Sequence, residues 1–369
     1  MKSIHRVVAV WGLTALAACG DSPVAAPSTS HPTLEKASRG GDDRERGLTA
    51  MTQNMYVGAD LDAVISALAT PDPTDDFPAL LAGIQTLGQT DYPTRARAFA
   101  QTIARERPMF VGLQEVSAVD IDLTALGLPS VIHLDFLATL ASELAARGLH
   151  YRVAAQVQNI TAEPVPGIRL VDYDALLVDA DRVTVIRAAG HTFSNNLGPV
   201  APGVDLKRGW VSAEVTIGSR AYTVASTHLE SGSAAGLAQL RAAQAAELLA
   251  SLPTERPTLV MGDLNDTPGS LMYQALIRGG FADAWRTLRP GVPGFTCCEV
   301  ADLSNPLPRL DQRIDYLFVR LSGGQRLAGK IERVGIEPSS RIAGPVGLIW
   351  PSDHAGLAGE LWVAAERDR

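Results

Sequence analysis

Between Thr258 and Ser270 the chain reads TLVMGDLNDTPGS. The apolar run Leu259, Val260 and Met261 is long enough for a buried strand. Gly262-Asp263-Leu264-Asn265-Asp266 follows, and Thr267-Pro268-Gly269 breaks the chain. A helical pattern starts at Ser270, with Leu271, Ala275 and Leu276 in step. A strand that ends in a carboxylate and a carboxamide delivers both to a sheet edge, where open α/β sheets hold their ligands. Asp263 and Asn265 are two apart, so on an extended backbone they project from the same side. Together they can orient a water and hold a charged oxygen. Taken alone, the stretch also fits an Asx-rich turn that caps the next helix.

Five other stretches set polar side chains at the end of an apolar run. Asn54 closes Leu48–Tyr56. Gln114-Glu115 closes Met109–Leu113, and a carboxylate at the end of a buried strand is costly unless a cation or donor meets it. His228 stands in Thr227-His228-Leu229, after the run that begins at Tyr222. Asp315 lies near the start of the strand-like run Arg313–Val319, beside Arg313. Ser352-Asp353-His354 precedes Leu357–Val363. Each has an ordinary reading: a turn, a polar strand end, or a surface Asp–Arg pair that contributes little. As a set they hold carboxylates for a hard cation, amides for orientation, and two histidines for proton transfer and charge stabilisation.

The elements that must position these groups can be read in order. Helical spacing falls on Leu61–Leu68 within an excursion from Val57 to Asp91, on Arg95–Arg105, on His133–Arg147 and on Leu237–Leu252. Strand-like runs lie at Tyr151–Val157, Asp174–Val178, Val183–Ala188, Val211–Ile217 and Tyr222–Thr227. Strands in succession without helices point to antiparallel meanders, not strict βαβ winding. No internal repeat is evident, and one domain is expected from about Leu48 to the C-terminus, residues 48–369.

The N-terminus reads as an address. Lys2 and Arg6 precede the apolar run Val7–Ala18, which is too short to span a bilayer as a helix. It ends Leu16-Ala17-Ala18-Cys19. This resembles a bacterial lipoprotein signal, residues 1–19, with Cys19 lipidated after cleavage before it. The alternative is a secretory signal cut near the alanines, with Cys19 incidental. Residues 20–47 are rich in Ser, Pro, Thr and charge and read as a disordered tether. An exported protein held to a membrane by that lipid alone is the expectation.

The 369 residues carry 46% apolar and 20% charged side chains and a net charge of −8, ordinary for a protein with a large core. Loss of residues 1–19 takes Lys plus Arg from 32 to 30 and leaves Asp plus Glu at 40, a net −10. That balance argues against duplex nucleic acid as the favoured partner. Besides Cys19 the cysteines are the adjacent Cys297 and Cys298. Two thiols alone cannot close a zinc site, and the pair reads first as an oxidised structural turn.

The order Asn54, Gln114-Glu115, Thr227-His228-Leu229, Gly262-Asp263-Leu264-Asn265, Asp315, Ser352-Asp353-His354 resembles the endonuclease/exonuclease/phosphatase superfamily, the deoxyribonuclease I-like fold. The resemblance covers the whole domain. It implies a four-layer α/β sandwich, two mostly antiparallel sheets flanked by helices, and metal-assisted hydrolysis of a phosphoester. It assigns Glu115 as metal ligand, with Asn54 and Asp353 beside the metal. Asp263 and Asn265 orient the attacking water and contact the phosphate. His354 meets the scissile phosphate, Asp315 pairs with it, and His228 is a second phosphate-contacting histidine. Mg²⁺ is the implied ion, with Mn²⁺ or Ca²⁺ as alternatives, because the ligands are few and are oxygens. Tyr173 is a weak match to a family tyrosine. A basic clamp of the kind duplex-cleaving members use is not evident, nor is an exposed aromatic hairpin like that of bacterial sphingomyelinases.

The expected activity is that of a monomeric phosphodiesterase or phosphatase acting on a small molecule, a lipid headgroup or a nucleotide. The alternatives are an extracytoplasmic endonuclease or exonuclease, and a catalytically dead binding module on the same fold. The address gives the first test. Cys19→Ser should shift the protein from the detergent-soluble membrane fraction to the soluble fraction, and unchanged partitioning would remove the lipoprotein reading.

Overall fold

The computed structural model describes residues 47–124, 127–128 and 131–365. The signal 1–19, Cys19 and the tether up to residue 46 lie outside the described residues. The chain opens with β1 (Leu48–Asn54), then α1 (Leu61–Leu68), α2 (Asp76–Thr90), α3 (Tyr92–Glu106) and β2 (Phe110–Gln114). A short hairpin, β3 (Ala118–Asp122) and β4 (Val131–Asp135), leads into α4 (Phe136–Ala145). The strand-rich middle is β5 (Tyr151–Ala162), β6 (Ile168–Asp179), β7 (Thr184–Thr192), β8 (Gly198–Ala201), β9 (Val204–Leu206), β10 (Gly209–Ile217) and β11 (Arg220–His228). Then come α5 (Leu237–Ser251), β12 (Thr258–Asp263), α6 (Leu271–Arg278), β13 (Phe281–Asp283), α7 (Ala284–Leu288) and β14 (Asp315–Arg320). The chain closes with β15 (Gln325–Val334), β16 (Ile342–Gly344), β17 (Gly347–Ile349) and β18 (Gly356–Ala365).

Two large sheets form. One orders β15-β18-β1-β2-β6-β5-β9-β8, with β3 and β4 attached beside β6, and the other orders β13-β14-β12-β11-β10-β7. Strands buried on both faces need apolar residues at nearly every position, and three clusters show how those positions divide. Leu48, Phe110, Leu176 and Val178 of the first sheet meet Val224, Leu259, Met261 and Leu317 of the second in an inter-sheet core. The alternate residues Met51, Val111, Ala175 and Leu177 pack on Phe99, Ile103, Phe136 and Leu140 of α3 and α4. On the far side Val260, Tyr316 and Phe318 pack on Leu248, Met272 and Leu276 of α5 and α6. The result is the expected four-layer sandwich of helices, sheet, sheet and helices.

Most strand pairs are antiparallel, as the run of middle strands implies. Two are parallel, β1 with β2 and β11 with β12, and each is joined by helical crossovers. Parallel pairing brings two strand ends to the same edge. Asn54 therefore stands opposite Gln114, and His228 opposite Asp263. The sheets also approach closely near these ends. A Cβ on Gly112 would sit 2.5 Å from Ser226 Oγ and 3.0 Å from Met261 Cγ, so only glycine leaves room there.

The spacing over His133–Arg147 predicts one helix, but residues 131–135 are a strand paired with β3. Leu134 fits both periods, and the side chain of Asp135 caps the helix that begins at Phe136. The excursion after β1 holds a second helix, α2, and β15 is an unread strand.

Arg95 of α3 is fully buried. It donates to the carbonyls of Thr90 (2.8 Å), Met55 (2.5 Å), Tyr56 (2.9 Å) and Pro351 (3.2 Å). One side chain thus ties the turn after Asn54 to the segment before Asp353. Arg95→Met keeps the bulk and strands these buried carbonyls, so stability should fall by about 3 kcal/mol. Urea unfolding measures it, and a loss below about 1 kcal/mol would show that the carbonyls find other partners.

Candidate active site

The strand ends converge on a cavity of about 320 Å³ whose wall includes Tyr56, Glu115, Arg208, His228, Asp263, Asn265, Asp353 and His354. Asn54, buried at the end of β1, joins the two sheets. Its Nδ2 donates to Glu115 Oε1 at 2.9 Å and to Asp263 Oδ2 at 3.1 Å, and its Oδ1 accepts from Tyr56 N at 2.9 Å. Glu115 follows β2 with a positive φ of 55°, and its Oε2 accepts from Val57 N at 2.8 Å. Behind them Thr52, Gln114 and Ser226 link side chain to side chain across the sheets.

Asp263 lies against both histidines, 3.6 Å from His228 Nε2 and 3.8 Å from His354 Nε2. Burial, joined by the charge of Asp315, pushes its carboxyl up to about 7, against the His354 charge and the amides of Asn265 and Asn54. Asp315 begins β14 directly opposite Asp263, and its Oδ2 is 2.9 Å from His354 Nδ1. The surface pairing of Asp315 with Arg313 does not occur: Arg313 is itself buried and binds Asp283 at 2.7 Å. The loop bearing His354 is fixed by Ser352 Oγ, which donates to Asn54 O and accepts from His354 N.

The two histidines differ in charge. Burial alone would lower His354, but the carboxylates of Asp315, Asp353 and Asp263 outweigh it and hold the ring well above the usual histidine range. His228 has burial against it, then the Arg208 and His354 charges, and falls well below that range. Arg208 Nη1 donates to His228 Nδ1 at 3.1 Å, so the neutral His228 carries its proton on Nε2, toward Asp263.

All eight side chains expected from the sequence reach this region, with one geometric correction. β12 ends at Asp263, and Asn265 has a φ of +51°, so the two do not project from an extended backbone. The backbone N of Asn265 instead donates to Asp263 Oδ1 at 2.9 Å, while its Nδ2 donates to Leu229 O at 3.0 Å. Tyr173 packs as a strand aromatic among the helix-facing core residues.

Sequence reasoning missed Arg208, Asp172 and Asp174. Arg208 sits just before β10, in contact with His228, Glu230 and Ser231. Asp172 and Asp174 lie two apart on β6, both buried. Burial, with the Glu115 charge next, pushes Asp172 up to about 7, and burial with Asp172 holds Asp174 well above the usual carboxylate range. Two acids at period two inside an apolar strand were the available signal.

The oxygen donors present suit a hard cation. Glu115 and Asp353 line one cavity, and burial together with the Glu115 charge helps push Asp353 up to about 7, a repulsion that a bound cation relieves. A second acid–imidazole group, Asp263, Asp315 and His354, brings ligand atoms within 4.8 Å of one another.

The family model for the Endonuclease/Exonuclease/phosphatase family matches residues 51–354. Among solved structures, an endonuclease/exonuclease/phosphatase from Beutenbergia cavernae DSM 12333 is similar with a TM-score of 0.56 and 22% identity, over 86% of this chain and 72% of that one. The human Nocturnin catalytic domain with bound sulfate anion gives 0.53 and 17%, over 87% and 95%. Humanized D. rerio TDP2 carrying 14 mutations gives 0.51 and 16%, over 85% and 98%. At these identities the likenesses show the fold. No curated protein matches the chain.

The charge difference between the histidines is measurable without any reaction. In a metal-free sample followed by NMR, His354 should keep its second proton to higher pH than a free histidine, and His228 should stay neutral. Asp315→Asn should lower the His354 titration, because the carboxylate that holds its proton is gone. Arg313→Met should leave it in place, and equal titrations in all three proteins would dissolve the Asp315–His354 unit.

Proposed function

The chain belongs to the endonuclease/exonuclease/phosphatase family, and from that premise we propose that it is a divalent-metal-dependent hydrolase of phosphoesters. The family is one of phosphoesterases and nucleases and typically uses divalent metals. The observation that carries the reading is the convergence at the cavity of three hydrogen-bonded groups, Glu115–Asn54–Asp263, Asp315–His354 and Arg208–His228, with Asp263 3.6 and 3.8 Å from the two rings.

In this reading Glu115 holds the cation, with Asn54 and Asp353 beside it. The ion, Mg²⁺ in the first instance, supplies charge neutralisation at the phosphoryl oxygens. Asp263, with its raised pKa, takes the proton of the attacking water, and Asn265 fixes the loop that aims it. The P–O bond to the alcohol breaks, and its electron pair leaves with the alcohol oxygen. His354, charged and oriented by Asp315, donates from Nε2 to a phosphoryl oxygen as negative charge develops. His228 Nε2–H adds a neutral donor, and Arg208 keeps that tautomer.

We take the substrate to be a small molecule or a lipid headgroup rather than a long nucleic acid. Asp60, Asp62 and Glu299 stand in the same cavity wall, and they would repel a polyanion. We further propose that the enzyme is an exported monomer held by a lipid at Cys19, on the strength of the Leu16-Ala17-Ala18-Cys19 ending.

Hydrolysis of an aryl phosphodiester with Mg²⁺, abolished by chelator, is the first test, followed by a panel of DNA, RNA, sphingomyelin, phosphoinositides and nucleotides. Glu115→Gln should need more Mg²⁺ for half-maximal rate. His354→Ala should cost on the order of a thousandfold in kcat and Asp315→Asn somewhat less. Their double variant should be little worse than His354→Ala alone, as for groups that act as one unit. Multiplicative losses, or an unchanged Mg²⁺ requirement in Glu115→Gln, would overturn these assignments.

A further inference from the structure

The proposed hydrolysis leaves Cys297 and Cys298 without a part, yet they belong to the wall beside His354. Thr296 Oγ1 accepts from the backbone N of Ile314 and of Asp315, and Thr296 O accepts from Ala355 N. Cys297 bridges to Gln312 on one side and to His354 on the other, and Glu299 N donates to Asp353 O at 2.9 Å. The pair is thus held between the two segments that carry the acid–imidazole unit. Cys297 is buried and Cys298 is exposed to the cavity side. Cys298 Sγ lies 3.9 Å from His354 Nε2. Both sulfurs and a ring nitrogen of His354 fall within 4.8 Å of one another.

In this structure the two sulfurs are joined, and a disulfide offers no thiolate. We propose that reduction of Cys297–Cys298 creates a binding site for a thiophilic divalent ion of the zinc class, made by both thiolates and His354 Nε2, and that its occupation closes the hydrolytic site. A dithiol reductant supplies the two electrons and two protons, becomes its own disulfide, and leaves two thiols on the protein. The ion then takes the two sulfur lone pairs and the Nε2 lone pair, and the displaced protons go to solvent.

The donor chemistry selects the ion. Two sulfurs and an imidazole suit zinc, cobalt or cadmium, whereas magnesium stays with the oxygens of Glu115 and Asp353. A tetrahedral ion with Zn–S near 2.3 Å and Zn–N near 2.0 Å spaces its donors about 3.5–3.8 Å apart. The 3.9 Å from Cys298 Sγ to His354 Nε2 already approaches that spacing, and reduction frees the sulfurs to separate from each other. Asp315 holds Nδ1 and leaves Nε2 outward, the arrangement that orients imidazole ligands in metal sites. Three protein ligands leave a fourth position for water. The same Nε2 cannot serve a metal and a phosphoryl oxygen together. The closing of the hydrolytic site rests on the proposed function; the binding of the ion does not.

The test uses the full chain, reduced with dithiothreitol under anaerobic conditions, freed of reductant, and titrated with Co²⁺ in excess Mg²⁺. One equivalent should bring a thiolate-to-cobalt charge-transfer band, absent from the unreduced protein and from the Cys297→Ser/Cys298→Ser variant. His354→Ala should weaken Co²⁺ binding by at least the roughly tenfold that loss of a group merely orienting a ligand costs. Cys298→Ser, at an exposed position, should show the same loss of the band if the double variant fails to fold. No band in the reduced chain, a band that survives both cysteine variants, or undiminished binding in His354→Ala overturns the site. Zn²⁺ should then stop aryl phosphodiester hydrolysis in the reduced enzyme and spare the oxidised one, and equal rates in both states overturn the closure. Should neither state hydrolyse the diester with Mg²⁺ alone, the hydrolytic reading falls and the closure with it, while the cobalt band still decides the metal site.

Discussion

The amide of Asn54 donates once within its own sheet, to Glu115, and once across the sandwich, to Asp263. Hydrogen bonds to a charged partner contribute about 1.5–3 kcal/mol each, and here one acceptor, Asp263, is buried and the other, Glu115, half-buried. An amide is the side chain that can do this, because it donates two protons from one nitrogen without adding charge. The carboxyl group on each sheet is thereby fixed relative to the other. The remaining geometry follows from that junction: Gly112 permits the close approach, Gln114 and Ser226 repeat the cross-sheet link one step deeper, and Arg95 holds the turn that follows Asn54.

The electrostatics build on the same frame. Carboxyl groups outnumber cations around the cavity, and burial alone would neutralise several of them. Charge is instead distributed unevenly. Three carboxylates face His354 and keep it protonated, while Arg208 takes the lone pair of His228 and keeps it neutral. Two histidines of identical chemistry thus become a charged donor and a neutral donor, through their neighbours alone.

Much of this was legible in the sequence because strand ends announce themselves. An apolar run bounded by a polar side chain marks both the strand and its working end: Asn54, Glu115, His228 and Asp263 follow such runs, and Asp315 and His354 stand at or before the start of theirs. The inter-sheet and helix-facing residues of β12, Leu259, Val260 and Met261, were equally plain. What escaped depended on contacts between distant segments. Asn265 was placed on an extended backbone because the left-handed turn after Asp263 has no period to read. Arg208 escaped because its partners His228 and Glu230 come from the end of β11 and the loop after it. The pair Asp172 and Asp174 lies inside a strand read only from Asp174 onward, and Leu134 satisfied two periods at once.

The pairing of β1 with β18 joins the first strand of the described fold to its last. β18 also stands between β15 and β1, inside the sheet and not at its edge. The segment Ser352–His354, just upstream of β18, is set against β1 when that strand is in place: Ser352 Oγ donates to Asn54 O, and Gln53 Nε2 donates to His354 O. A ribosome that has released all but the final strand therefore carries a chain whose two halves of the cavity cannot be registered. Contacts of such long sequence separation form late and slowly. Translation of the first strands and assembly of the site are consequently separate events.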